Sequence, residues 1–230
     1  MQLIEKNFLS LDDTIDKYLP NFKNLKKLKS LTSKLDDTIK IDRTPTVRQL
    51  LQHTAGFTYN SSNNFLAEAY EEKKLFHSSS RSLEEEIDNI SGLPLLYEPG
   101  LEWHYSISID ILARILEVVT KDKLLSILKE NIFYPLEMND TNFSISEDKN
   151  KNLVETFEYN SVKSKLTDLT LASRKLILYG YPANNENYCR GGHGLFSTAA
   201  DYIKFATMLI NGEDKNFKPL VNKETLQSMR

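Results

Sequence analysis

Between Ile109 and Val119, apolar residues recur at Ile109, Leu112, Ile115, Leu116 and Val119. Steps of three and four match the turn of an α-helix and not the alternation of a strand, so the segment reads as a core helix with one apolar face. The capping patterns Ser10-Leu-Asp-Asp13, Thr46-Val-Arg-Gln49 and Ser82-Leu-Glu-Glu85 mark further helix starts, because each places a hydroxyl three residues ahead of a side chain that can return its hydrogen bond. They predict a short helix closed by Pro20, a second running to Gly56 with Leu50 and Leu51 on its apolar side, and a third carrying Ile87 and Ile90 and broken by Ser91-Gly-Leu-Pro94. Leu124, Leu125, Leu128 and Ile132 predict a helix that stops at Tyr134-Pro135, where the proline ring disallows continuation. Thr198-Ala-Ala-Asp201 opens a last one, with Ile203, Phe205, Ala206, Met208 and Leu209, ended by Asn211-Gly212. Strand signals are confined to 152–180, where Val154, Thr156, Phe157 and Tyr159, then Lys165 to Leu171, suggest a hairpin or an irregular meander. With Gly 8 and Pro 7 in 230 residues, the expected fold is mainly α with a minor β component.

Charge narrows the function classes. Lys plus Arg 29 against Asp plus Glu 32 gives -3, with both signs scattered, which makes no platform for nucleic acid or anionic lipid. The cluster Lys23, Lys26, Lys27 and Lys29 reads as a solvated helix face. The single Cys189 has no internal disulfide partner, and histidines placed singly at 53, 77, 104 and 193 have no metal-ligand spacing, so neither a metal nor another cofactor is expected. No run is long and apolar enough to predict a transmembrane segment, and Met1-Gln-Leu-Ile-Glu-Lys lacks the regions of an export signal, so the chain as written reads as cytoplasmic. Without repeats or linkers, residues 1–230 form one expected domain.

Several stretches, taken in order, resemble one family. They are Leu9-Ser-Leu-Asp-Asp-Thr-Ile-Asp-Lys-Tyr-Leu-Pro20, Thr46-Val-Arg-Gln-Leu-Leu-Gln-His-Thr-Ala-Gly-Phe57, Glu98-Pro-Gly-Leu-Glu-Trp-His-Tyr-Ser106, Ile132-Phe-Tyr-Pro-Leu-Glu-Met-Asn-Asp-Thr141 and Gly191-Gly-His-Gly-Leu-Phe-Ser-Thr-Ala-Ala-Asp201. The resemblance is to serine β-lactamase-related proteins: class C β-lactamases, D-Ala-D-Ala carboxypeptidases of the penicillin-binding-protein type, and β-lactamase-fold esterases. It runs from about Phe8 to Met229.

The resemblance implies acyl transfer by the serine of a Ser-x-x-Lys motif, on ester, β-lactam or D-Ala-peptide substrates. A hydroxyl is a weak nucleophile at its own pKa, so a neighbouring base must take its proton while backbone N–H groups hold the oxyanion. Tyr105 occupies the tyrosine of the family's Tyr-x-Asn motif and is the candidate catalytic residue. The third position is Ile107, which can neither donate nor accept a hydrogen bond; this points away from lactamases and toward esterases and transesterases, or toward a member whose site has decayed. His53 is a base by residue type but reads as a helix end, His104 and His193 as loop residues, and Gly191, Gly192 and Gly194 as a turn that permits close approach to the helix capped at Thr198.

The family's nucleophile would lie upstream of Met1 and its Lys- or His-x-Gly strand beyond Lys223 to Met229, so the chain corresponds to the helical half of the α/β fold, truncated at both ends. Ser126-Ile-Leu-Lys129 and Ser146-Glu-Asp-Lys149 match Ser-x-x-Lys by pattern only and lie elsewhere in the resemblance. Expected partners are therefore a small-molecule acyl substrate or a cell-wall-like peptide, together with self-association through apolar helix faces, such as Ile109 to Val119, left without a sheet to cover. Full-length relatives are often exported or membrane-associated. The alternative is a non-catalytic binding protein that keeps the helical scaffold.

Overall fold

Hydroxyl caps set most of the helix starts in the computed structural model, which describes residues 1–59, 65–75, 81–154, 157–160, 165–168, 189–214, 216 and 218–229. Thr46 Oγ1 accepts from the Gln49 N–H at 3.3 Å while Gln49 returns the bond, opening α2 (Val47–Leu51). Ser82 and Glu85 do the same for α4 (Leu83–Ser91), and Thr198 accepts from the Asp201 N–H to open the long C-terminal helix Ala199–Asn211. The described helices are α1 (Gln2–Glu5), α2, α3 (Phe65–Glu72), α4, α5 (Ser108–Thr120), α6 (Leu124–Leu128, continued by a wider turn over Lys129–Phe133), α7 (Glu147–Asn150), α8 (Ala199–Asn211) and α9 (Lys223–Ser228). Among them, none is long and apolar enough to cross a membrane.

Strands are short. β1 (Lys26–Leu28) pairs antiparallel with β2 (Thr38–Lys40), Lys27 facing Ile39. β3 (Phe157–Asn160) pairs antiparallel with β4 (Lys165–Asp168), Tyr159 facing Leu166, which is the hairpin form of the predicted meander. Thr156 and 169–180 of that stretch lie outside the described residues. The lysine cluster is thus not a helix face: Lys26 and Lys27 are strand residues, and Lys27 pairs with Glu98 at 2.8 Å.

Two helix predictions fail for tertiary reasons. From Ser10 the chain makes a turn and then two 3₁₀ turns, Ile15–Lys17 and Pro20–Phe22, so Pro20 starts an element instead of closing one. Thr14 bridges to Thr46, and the Ile15 N–H goes to the Pro45 carbonyl at 2.9 Å, so local helical bonds are exchanged for pairing with the entry to α2. α2 in turn ends at Leu51, well before Gly56, because His53 adopts a left-handed φ of 55°. Leu50 is buried; Leu51 is exposed.

α5 is the centre of the structure, packed against α2, α4 and α6. Contacts on several sides replace the single apolar face: Ile111, Ala113 and Ile115 are buried, and Ile109, Leu112, Leu116 and Val119 half-buried. Its predicted face is therefore partly covered, Ile115 fully and the other four positions in part, where the expectation was a face left bare. α8 carries bare apolar side chains, with Tyr202, Ile203 and Ile210 65%, 65% and 71% exposed. α5 also buries Asp110 and Glu117, and Glu117 accepts from the Leu124 N–H at 3.1 Å, fixing the start of α6.

The approach to α5 is tied down through Gly56. The Leu96 N–H donates to the Gly56 carbonyl at 2.7 Å, and a Cβ on Gly56 would lie 2.3 Å from the Tyr97 carbonyl oxygen, on a residue whose φ is +87°. Both the contact and the left-handed backbone require glycine.

Candidate active site

Residues 101–107 lead from the turn at Glu98–Gly100 into α5. Trp103 and Tyr105 stand exposed, whereas Ser106 and Ile107 are buried and His104 is half-buried. The predicted catalytic Tyr105, 57% exposed, lies between two rings: His53 at a centroid distance of 4.9 Å and Tyr59 at 5.3 Å. Trp103 meets His53 edge-on at 6.4 Å.

His53 also holds the backbone on both sides of Tyr105. The His104 N–H donates to the His53 carbonyl at 2.9 Å, and the Ser106 N–H donates to His53 Nδ1 at 3.3 Å. An accepting Nδ1 leaves the ring proton of the neutral imidazole on Nε2. Burial pulls the pKa of His53 below its ordinary value and so favours this neutral form. His104 is lowered by burial too, against the pull of Glu102, and its ring is tilted against Tyr97 with Nε2 3.0 Å from Thr58 Oγ1. The Ser106 hydroxyl bonds Ser108 Oγ at 2.7 Å and is buried.

A second arm comes from a distant part of the chain. The buried Asp110 carboxylate, in the first turn of α5, accepts from Arg190 Nε at 3.2 Å, from the Arg190 guanidinium NH2 at 3.4 Å and from the Gly192 N–H at 3.2 Å. A Cβ on Gly191 would come within 2.2 Å of the Ile109 carbonyl oxygen, so the glycine pair permits close approach to α5 and not, as the sequence suggested, to α8. Gly192 lies against the Tyr59 hydroxyl. The Tyr59 phenol bonds Tyr105, and its pKa is raised well above the usual range by burial first, with the Asp110 charge adding and Arg190 opposing.

Ile107, in the place of the family's amide, precedes α5 with its side chain fully buried. His193 is exposed. Ser126 is exposed on α6; Ser146 precedes α7, and Lys149 pairs with Asp140. In both patterns the lysine N–H donates to the serine carbonyl, Lys129 to Ser126 and Lys149 to Ser146, as ordinary helical-turn bonds of the backbone; among the described residues no cluster of His, Cys, Asp and Glu could hold a metal. Tyr59, Asp110 and Arg190 escape the sequence reading; the available signal was one acidic residue inside the apolar run Ile109-Asp-Ile111.

A model of the Beta-lactamase family matches residues 1–229. Protein Rv1367c of Mycobacterium tuberculosis is 26% identical over 232 residues, covering 100% of this chain and 55% of its own length. Lovastatin esterase of Penicillium rubens is 27% identical over 229 residues, covering 95% of this chain and 53% of the esterase. The solved structure of EstCE1, a hydrolase with promiscuous acyltransferase activity, superposes with a TM-score of 0.70 at 26% identity, covering 95% of this chain and 56% of EstCE1. The chain thus spans about half the length of the curated relatives it matches.

Proposed function

This chain belongs to the beta-lactamase family, and from that premise we propose that it carries the general-base half of a serine acyl-transfer site, with Tyr105 as the base. The observation that carries the reading is the placement of the Tyr105 phenol, open to solvent yet held between His53 and Tyr59 at the entry to α5. In the proposed step a serine Oγ attacks the acyl carbonyl, its proton passes to the Tyr105 oxygen, and the same oxygen returns a proton to the departing alcohol. A phenol accepts a proton only as phenolate, a form that a neighbouring cation such as the lysine of Ser-x-x-Lys favours.

Esters of small molecules are the proposed substrates. Lovastatin esterase and EstCE1 are esterase and hydrolase relatives, and the buried Ile107 supports a site that does not grip a substrate amide. Exposed Leu101 and Trp103 would supply an apolar lip for the acyl chain. The serine and lysine are proposed to come from outside residues 1–230, the helices described above forming the helical part of the fold.

A fluorophosphonate probe with a chromogenic ester and a chromogenic cephalosporin tests this. Residues 1–230 alone should stay unlabelled and inert. A polypeptide in which the coding sequence ahead of Met1 supplies an in-frame Ser-x-x-Lys should label at that serine, hydrolyse the ester in preference to the cephalosporin, and lose both properties in Tyr105→Phe. Labelling of the 230-residue chain at one of its own serines would overturn the assignment.

A further inference from the structure

We propose that His53 is the positioning residue of Tyr105, and that it works only while its imidazole is neutral; the functional meaning of this rests on the reading of Tyr105 as the base. One residue makes three contacts around one side chain. Its carbonyl takes the N–H of residue 104, its Nδ1 takes the N–H of residue 106, and its ring lies 4.9 Å from the phenol between them. Two flanking peptide groups and a tilted ring contact together restrain the backbone and χ1 of Tyr105.

His53 has a φ of 55°, in the left-handed region that glycine enters freely and that Asn, Asp and His enter more readily than other side chains. Ending α2 does not require a histidine there, since Asn or Gly would do so as well. The imidazole instead supplies a flat ring and an acceptor on one side chain.

Protonation removes the acceptor. Once Nδ1 carries a proton it confronts the Ser106 N–H with a second donor, and the bond is lost. Among the described residues the titratable groups facing His53 are Tyr105 beside its ring, Tyr59 beyond that ring with the Asp110–Arg190 pair behind it, and His104, which answers to Glu102. Among the described residues no charged partner acts on His53 itself, whose pKa is lowered by burial.

The test uses the 230-residue chain labelled with ¹³Cζ-tyrosine and ¹⁵N, the Tyr105 signal being assigned by its loss in Tyr105→Phe. From pH 8 to 4.5 the Tyr105 resonance should shift with an inflection below 6.5, the ordinary histidine value, and protection of the Ser106 amide from hydrogen exchange should fall about fivefold across that inflection, the worth of one hydrogen bond. In His53→Asn the side-chain oxygen replaces Nδ1 and the left-handed backbone is tolerated. There the Ser106 amide should stay protected at every pH, while the inflection disappears and the phenol resonance broadens without its neighbouring ring. His104→Gln should leave the inflection in place. A flat Tyr105 titration, or an inflection that survives His53→Asn, overturns the proposal. The readout needs no turnover, so it fails or stands separately from the labelling test of Tyr105 as base.

Discussion

Replacing Asp110 by alanine removes the acceptor for three donors at once: two guanidinium nitrogens of Arg190 and the Gly192 N–H, at 3.2, 3.4 and 3.2 Å. The carboxylate is fully buried and the arginine side chain is 9% exposed, so water does little to compensate either group. Deleting one member of a buried ion pair costs about 3–5 kcal/mol, most of it from the charge left behind. That is a large part of the roughly 5–15 kcal/mol that holds a domain together. With a urea m-value of about 3 kcal/mol per molar, the unfolding midpoint of Asp110→Ala should fall by about 1–1.7 M. Far-UV circular dichroism follows the helices, and the emission of Trp103, the one tryptophan in the chain, follows the Tyr105 cluster. In the double variant Asp110→Leu with Arg190→Met, neither charge of the pair remains, and at least half of the lost midpoint should return. A shift below about 0.3 M in the single variant, worth about 1 kcal/mol, would refute the claim that this pair fastens residues 190–192 to α5.

Four further outcomes follow from the same structure. Thr46→Ala removes the capping box of α2 and should cost about 1 kcal/mol in a urea titration, whereas Thr46→Ser should cost much less. Gly56→Ala meets the Tyr97 carbonyl at 2.3 Å on a φ of +87° and should lower the thermal midpoint by more than 10 °C, roughly what a loss of several kcal/mol gives; a smaller loss would mean that the loop moves aside easily. His53 and His104 are both lowered from 6.5 by burial, so the unfolded chain binds protons there that the folded chain refuses. Their contribution to stability is complete above pH 6.5 and is lost as pH falls below it. The thermal midpoint should therefore decline from pH 7.5 to 5.5, and should do so less in His53→Asn with His104→Gln. Finally, Ile203→Glu with Ile210→Lys, both on exposed positions of α8, should leave stability unchanged and reduce any concentration-dependent association in sedimentation velocity.

What could be read from the sequence was what is encoded within a turn or two. The caps at Thr46, Ser82 and Thr198 bond residues three positions away, and the structure realises each. The same chemistry at Ser10 misled: Ser10 N–H does bond Asp13, but pairing of Thr14 with Thr46 takes the chain out of the helix one residue later. The period of Ile109 to Val119 identified α5 correctly and its buried face poorly, since a single stripe presupposes one neighbour and α5 has three. Tyr105 came from a family likeness, not from periodicity or spacing. Its surroundings were out of reach because His53 meets Ser106 across 53 positions and Arg190 meets Asp110 across 80, distances at which no local pattern speaks.

The carboxylate of Asp110 makes residues 101–110 and 189–192 one mechanical part written in two places along the chain. A transplant of residues 101–110 into another helical scaffold would arrive with a buried negative charge and a notch shaped for two glycines. A recipient would need the Cys189–Gly192 strip as well as His53 to hold the tyrosine as it is held here.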